Sequence, residues 1–401
     1  MKRILALLLA CITLLSLASC GGESLAEPTE TVETQETAGS KKPAVDTEPE
    51  MPPFTYVPDF DPNAPAKKIL FLGGSITCGA GVSDYKYAWA CRTFDAIGEK
   101  LFGPNVEMLN AAISGTGSLL AAFRLEEHVL KFCPDMVFIE FAVNDITMAK
   151  TNPELVVSAL DYIVRALKQA NPNVAVTFVY TTQSDGQNAS KVHGRVASHY
   201  GIPEIDLREP LVSKIAKNEA TWEQYLKDGA HPNSYGHKFY ADLVTRAVLS
   251  DPERFLAPVK EADSIASIKL DSPHIEYAKD MAGLNMNGFS IQDAKDKEKT
   301  LDEMEIDQAA VSDTVGSTIT YEFEGNTFAV YHRIDANGGA FSVAIDGKTL
   351  GTASCQNSGS NSYLSRFYKT GLGEGKHTVT ITVTQAEPGK KEVAIAGFCV
   401  A

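Results

Sequence analysis

The sequence predicts two folded parts in series: an α/β region whose parallel sheet is covered by helices on both faces, then an all-β sandwich of jelly-roll-like type. Three observations predict this. From Lys67 to about Ala257, short apolar runs alternate with helical patterns. From about Ser264 to Ala401, apolar and polar residues alternate with a period of two. The chain has 401 residues, and single cores stop growing near roughly 250–300 residues.

The first segment, residues 1–20, reads as a targeting signal. Lys2 and Arg3 precede an apolar run from Ile4 to Leu17, too short and wrongly flanked for a membrane span. Leu17-Ala18-Ser19-Cys20 follows, then Gly21-Gly22. This resembles a bacterial lipobox, whose cysteine thiol is lipidated, and it implies a cell-surface or periplasmic protein anchored through Cys20. Residues 21–66 are rich in Glu, Thr and Pro, with almost no large apolar residue before Met51. Such a segment cannot offset its ordering entropy, so an acidic, unstructured stalk is expected.

Residues 67–257 carry the α/β pattern. Five candidate strands stand out: Lys67 to Leu72, Val106 to Asn110, Met136 to Phe141, Val174 to Tyr180 and Ile202 to Leu207. The clearest helix begins at Asn152-Pro153, a cap followed by a proline suited to the first turn. Its Val156, Leu160, Ile163 and Leu167 fall on one face. Ligands of such sheets bind outside the carboxyl ends of the strands. In residues 264–401, Thr318 to Phe323 and His377 to Val383 alternate strictly, and Phe341 to Ile345 runs into Asp346-Gly347, a hairpin signal.

Composition narrows the function. Hydrophobic residues make up 44% of the chain and charged residues 22%, as in soluble globular proteins. A net charge of −15 disfavours nucleic-acid partners, which call for a basic stripe. It equally disfavours a polybasic membrane surface, leaving the anchor as the only membrane contact. Beyond Cys11 and Cys20, five cysteines remain, with no C-x-x-C pair or Cys/His cluster to suggest structural zinc.

Four segments carry candidate chemistry. Gly73-Gly74-Ser75 directly follows the first strand, placing a serine at the sheet's carboxyl edge after two residues that permit a sharp turn. The amides after it could open a helix and face an anion. A serine hydroxyl needs a base and an orienting group. Asp228-Gly229-Ala230-His231 supplies both at a spacing of three, although helix capping by the same residues would look alike. Asn110 to Gly117 follows the second strand and Ala142-Val143-Asn144-Asp145 the third, both at the edge that carries Ser75. Oxyanion donors are needed there; the amides of Ser75 and Gly115 and the side chain of Asn144 are candidates.

In this order the segments resemble the four blocks of the SGNH (GDSL-like) hydrolase superfamily, which carry Ser, Gly, Asn and His, with Asp three residues before the His. Here they match Ser75, Gly115, Asn144, His231 and Asp228, and the resemblance covers roughly Lys67 to Arg254. There are two departures: Gly74 stands where many members have Asp, and Ala142 where many have Gly. The resemblance implies a three-layer, flavodoxin-like domain hydrolysing esters without metal or organic cofactor. Within the superfamily, exported enzymes joined to β-sandwiches resemble carbohydrate deacetylases, so an acylated, most readily O-acetylated, polysaccharide is the expected substrate. The alternatives are a lipid or thioester acylhydrolase, disfavoured by the scarcity of a long apolar lid, and an inactive glycan-binding lipoprotein.

Other residues read less sharply. Tyr87 and Trp89 could form a sugar platform, with core the better reading for Trp89. Arg124 could face the cleft or sit in a salt bridge. Thr181-Thr182-Gln183 could contact substrate or form a plain loop. Trp222, His193 and His199 read as packing or surface residues. The second part reads equally as a carbohydrate-binding module or as scaffold. If it is a binding module, a chain ending near Ala257 should keep its rate on p-nitrophenyl acetate and lose rate on polymer.

Overall fold

The computed structural model describes residues 54–281, 284–294, 306–357 and 362–401. The signal segment, Cys20 and the linker up to residue 53 lie outside the described residues. The rest of the predicted linker forms no helix or strand. It is nonetheless docked: Phe54 and Tyr56 pack on the core, and Phe60 lies against Gly103. Three aromatic residues in thirteen give that stretch enough apolar surface to hold it down.

Five strands form the first sheet: β1 (Lys67–Gly73), β2 (Val106–Asn110), β3 (Met136–Glu140), β4 (Ala175–Tyr180) and β5 (Glu204–Asp206). They pair in parallel in the order β2-β1-β3-β4-β5. The alternation within β1 sends Ile69 and Phe71 to one core and Leu70 and Leu72 to another, one on each face of the sheet. The flanking helices are α1 (Trp89–Phe102), α2 (Ser118–Phe123), α3 (Ile146–Thr151), α4 (Pro153–Ala170), α5 (Ser190–Tyr200) and α6 (Ser234–Ser250). Helices α1 and α6 cover the Ile69 face; α2, α4 and α5 cover the Leu70 face. The start of α4 is set by Asn152, which accepts from Leu155 N, and by Pro153 in the first turn.

Two antiparallel sheets make up the rest. One runs in the order Lys348–Ser354, Ala340–Ile345, Lys376–Gln385, Thr318–Glu324, Asn285–Asn287. The other runs Ser362–Leu364, Phe328–Ile334, Val393–Val400, Gln308–Ser312, Ser290–Asp293. Tyr368–Lys369 also pairs with Phe328–Ile334, and His274–Tyr277 with Val393–Val400. Phe341, Val343, Val379 and Ile381 of the first meet Phe328, Val330, Ile395 and Phe398 of the second.

The second sheet is buried on its other face as well. Ala329, Tyr331, Tyr363, Ala396 and Cys399 join the same hydrophobic cluster as Leu119, Leu120 and Phe123 of α2. The β region therefore shares a core with the α/β region, and the described residues from 54 to 401 form one compact unit.

Candidate active site

The carboxyl ends of β1, β2 and β3 face one edge, and the chain leaves each of them in a tight turn. After β1, Cys78 N donates to Gly74 O and Ala80 N to Ser75 O. No regular helix opens here, contrary to the expectation from the sequence; the next one is the short 3-10 turn at Tyr85–Tyr87. Gly79 and Gly81, at φ of +86° and +108°, turn the chain out of the right-handed region. Gly81 also allows a close approach, since a Cβ there would stand 1.9 Å from the carbonyl oxygen of Pro232. The turn carrying Ser75 is thus pressed against the turn carrying His231. A buried imidazole holds the same seam: Trp89 N donates to His237 Nδ1, and His237 Nε2 donates to Ala80 O. Burial keeps His237 uncharged, its pKa pushed down to about 4.

Within this seam Ser75 Oγ lies 2.8 Å from His231 Nε2, and His231 Nδ1 lies 2.8 Å from Asp228 Oδ2. The other carboxylate oxygen accepts the amides of Ala230 at 2.9 Å and His231 at 2.8 Å. Partial burial opposes ionisation of Asp228, but these amides and the imidazole outweigh it and hold its pKa near about 2. Asp228 caps no helix: Asn233 does so for α6, accepting from Tyr235 N and Gly236 N. Leu226 and Pro232 pair across the base of the turn and hold it closed.

Asn144 follows β3. A Cβ on Gly74 would stand 2.2 Å from Asn144 Oδ1. With Asn144 placed as it is here, any side chain at position 74 would require the Asn144 side chain to shift. The Oδ1 atom of Asn144 is buried and makes no hydrogen bond. Gly115 sits in a turn closed by Thr116 N onto Ile113 O, at φ +74°. That is the left-handed position a type II turn requires.

Gly115 and Asn144 line the same cleft, which is also walled by Ala329, Leu364, Ser365 and Tyr368 of the β region. Ser75 and His231 lie outside this lining. Among the described residues, no group of three or more His, Cys, Asp or Glu side chains is placed to hold a metal ion.

Beneath the Ser75 turn lies Glu140, fully buried at the end of β3. Thr77 donates to its Oε2 at 2.9 Å and Thr181 to its Oε1 at 2.6 Å. Burial dominates over these bonds and pushes the pKa up to about 7. The folded protein therefore holds this proton to higher pH than the unfolded chain, whose carboxyl has the ordinary value of 4.5. Stability should fall as pH rises between those two values and level off above about 7. Urea unfolding across pH 4.5–8 should show this fall in the parent and not in Glu140→Gln. Parallel curves for the two proteins would contradict the assignment.

The remaining candidates take definite places. Trp89 is fully buried, whereas Tyr87 is exposed, with Lys86 and Arg92 over its ring. Arg124 is buried away from the cleft and donates to Ala111 O at 2.7 Å. Thr181 and Thr182 are fully buried and spent on internal bonds. His199 is exposed, Trp222 packs against the core, and His193 is buried and paired with Asp145. Sequence reasoning gave no role to Glu140, Gly81 or His237. The glycine pair at 79 and 81 was a visible signal of a forced turn.

Residues 71–239 match the GDSL-like lipase/acylhydrolase family. The chain carries a domain of that family. The domain marks the protein as a carboxylic ester hydrolase. An arylesterase of Vibrio mimicus is 25% identical over 190 residues, 46% of this chain and 89% of that protein. The crystal structure of a two-domain esterase active on acetylated mannans, co-crystallized with mannopentaose, superposes with a TM-score of 0.73 at 20% identity. The match covers 84% of this chain and 90% of that one, so both the α/β and the β parts share its fold. A second crystal structure of such an esterase gives a TM-score of 0.68, also at 20% identity, covering 84% of this chain and 91% of that one.

Proposed function

We propose that the protein hydrolyses O-acetyl esters of a polysaccharide with Ser75, His231 and Asp228 as its catalytic residues. The unbroken contact from Ser75 Oγ through the imidazole to Asp228 carries this reading. With Nδ1–H donated to Asp228, the lone pair of Nε2 is free to take the serine proton. Ser75 Oγ then bonds to the ester carbonyl carbon, and the carbonyl oxygen becomes an oxyanion beside the amides of Ser75 and Gly115 and the side chain of Asn144. His231 returns the proton to the departing sugar hydroxyl as the C–O bond breaks. Water, deprotonated by His231, attacks the acetyl-serine, and acetate leaves as Ser75 Oγ recovers its proton. The two-domain layout shared with the acetyl-mannan esterase supports a carbohydrate ester.

A second reading, a hydrolase of longer acyl esters, is favoured by one observation. Leu119, Leu120, Phe123, Met148 and Leu364 contribute apolar side chains to the cleft beside Asn144, next to the polar Thr116, Asp145 and Ser365. The two readings part on substrate. Acetate should be released from at least one acetylated polysaccharide, and p-nitrophenyl acetate should be cleaved faster than the octanoate. Preference for the octanoate with no acetate release would establish the second reading. In cells making the full chain, the reading also places this activity in the membrane fraction through lipid on Cys20. Activity should move to the soluble fraction with Cys20→Ala, and an unchanged distribution would refute the anchor.

A further inference from the structure

Asn144 has no hydrogen bond of its own at Oδ1 to fix its side chain, yet an oxyanion donor must be held within a fraction of an ångström. Its neighbour Asp145 is fixed twice. Asp145 Oδ1 accepts the Ser118 amide at 3.0 Å, at the foot of the turn carrying Gly115. Asp145 Oδ2 lies 2.9 Å from His193 Nε2 on α5. Both side chains are only 2% exposed. Gly117 makes the room, because a Cβ there would stand 2.3 Å from Asp145 Oδ1. The His193 ring is itself wedged edge-on between Phe178 and Tyr180 of β4.

We propose that Asp145 and His193 are positioning residues for the oxyanion site, a reading that rests on Ser75 as nucleophile and Asn144 as donor. One carboxylate ties together the two turns that bear Gly115 and Asn144, and the imidazole fixes that carboxylate to the sheet through α5. The pair has an electrostatic function as well. Asp145 lines the cleft one residue from Asn144, where a bare carboxylate would oppose a developing oxyanion. The Ser118 amide and the His193 ring occupy its two oxygens and draw its charge away from the cleft.

The test uses the full chain. His193→Phe keeps a ring and removes the donor; His193→Gln keeps a donor at similar reach. In the first, kcat on p-nitrophenyl acetate should fall roughly 10–10²-fold with KM within about twofold, the penalty of a donor misplaced by under an ångström. The second should stay within about threefold of the parent in kcat. Saturating fluorophosphonate labelling corrects every rate for the fraction of active protein. Asn144→Ala should lower kcat roughly 10²–10³-fold, and in that background His193→Phe should add little, because it acts through the same donor. The pair is refuted as a positioning device if corrected kcat in His193→Phe is unchanged, or if the two losses multiply. It is also refuted if His193→Gln loses as much as His193→Phe. Should His193→Phe fail to fold, that comparison passes to His193→Gln against Asp145→Asn, with Asp145→Asn expected to lose roughly 10-fold or more in kcat. An unchanged kcat in Asn144→Ala is a different result, which overturns the underlying site instead.

Discussion

Ser75→Ala is expected to lower kcat by roughly 10⁴–10⁶, and His231→Ala by a similar factor, with the double variant no worse than either, because the groups act as a unit. Ser75 is half-buried and its hydroxyl bonds to His231. Removing that oxygen leaves the Gly74 and Ala80 turn bonds in place, so the thermal midpoint should stay within a few degrees of the parent. Asp228→Asn should cost about 10⁴, since an amide in that place favours the wrong imidazole tautomer. The pH profile gives a further check. The amides and the imidazole hold the Asp228 pKa down at about 2, so Asp228 should add no limb of its own to kcat/KM near neutral pH. The steady-state rate of folded Ser75→Ala on p-nitrophenyl acetate decides the matter, and near-parent activity there would sink the nucleophile assignment.

The candidate site was legible because Ser75, Gly115 and Asn144 each follow a recognisable strand, while Asp228 and His231 stand three residues apart just before a helix. The apolar runs of β1 and β3, buried on both faces, announce a parallel sheet, and a polar residue just beyond such a run stands at its ligand-binding edge. The Asp346-Gly347 hairpin was equally legible, as both residues adopt the positive φ that a two-residue turn requires. What stayed hidden depends on contacts distant in sequence. Glu140 looks like any strand-terminal glutamate until Thr77 and Thr181 close on it from two other loops. His193 sits 48 positions from Asp145, with nothing local to distinguish it from a surface histidine. The strands Phe328–Ile334 and Val393–Val400 show no alternation because both of their faces are covered. That same covering hid the union of the α/β and β parts.

Truncation after Ala257 is therefore expected to abolish activity on p-nitrophenyl acetate and polymer alike, instead of sparing the small ester as a detachable binding module would. The cut strips the covering from Leu119, Leu120 and Phe123 on α2, which are at most 6% exposed in the intact protein. Baring side chains of this kind costs about 1.5–3 kcal/mol each, against a total stability of about 5–15 kcal/mol for a typical protein. Helix α2 begins at Ser118, whose amide is bonded to Asp145, so loosening it disturbs both turns of the oxyanion site. The cleft would also lose the wall formed by Leu364, Ser365 and Tyr368. A point variant separates these effects. Tyr368→Ala removes a half-buried ring from the wall and should lower the thermal midpoint far less than the truncation does while shifting KM or the order of acyl preference. The truncated chain should be poorly soluble or bind a hydrophobic dye. If it folds well and keeps its rate on the small ester, the shared core contributes little, and the β region is an independent module after all.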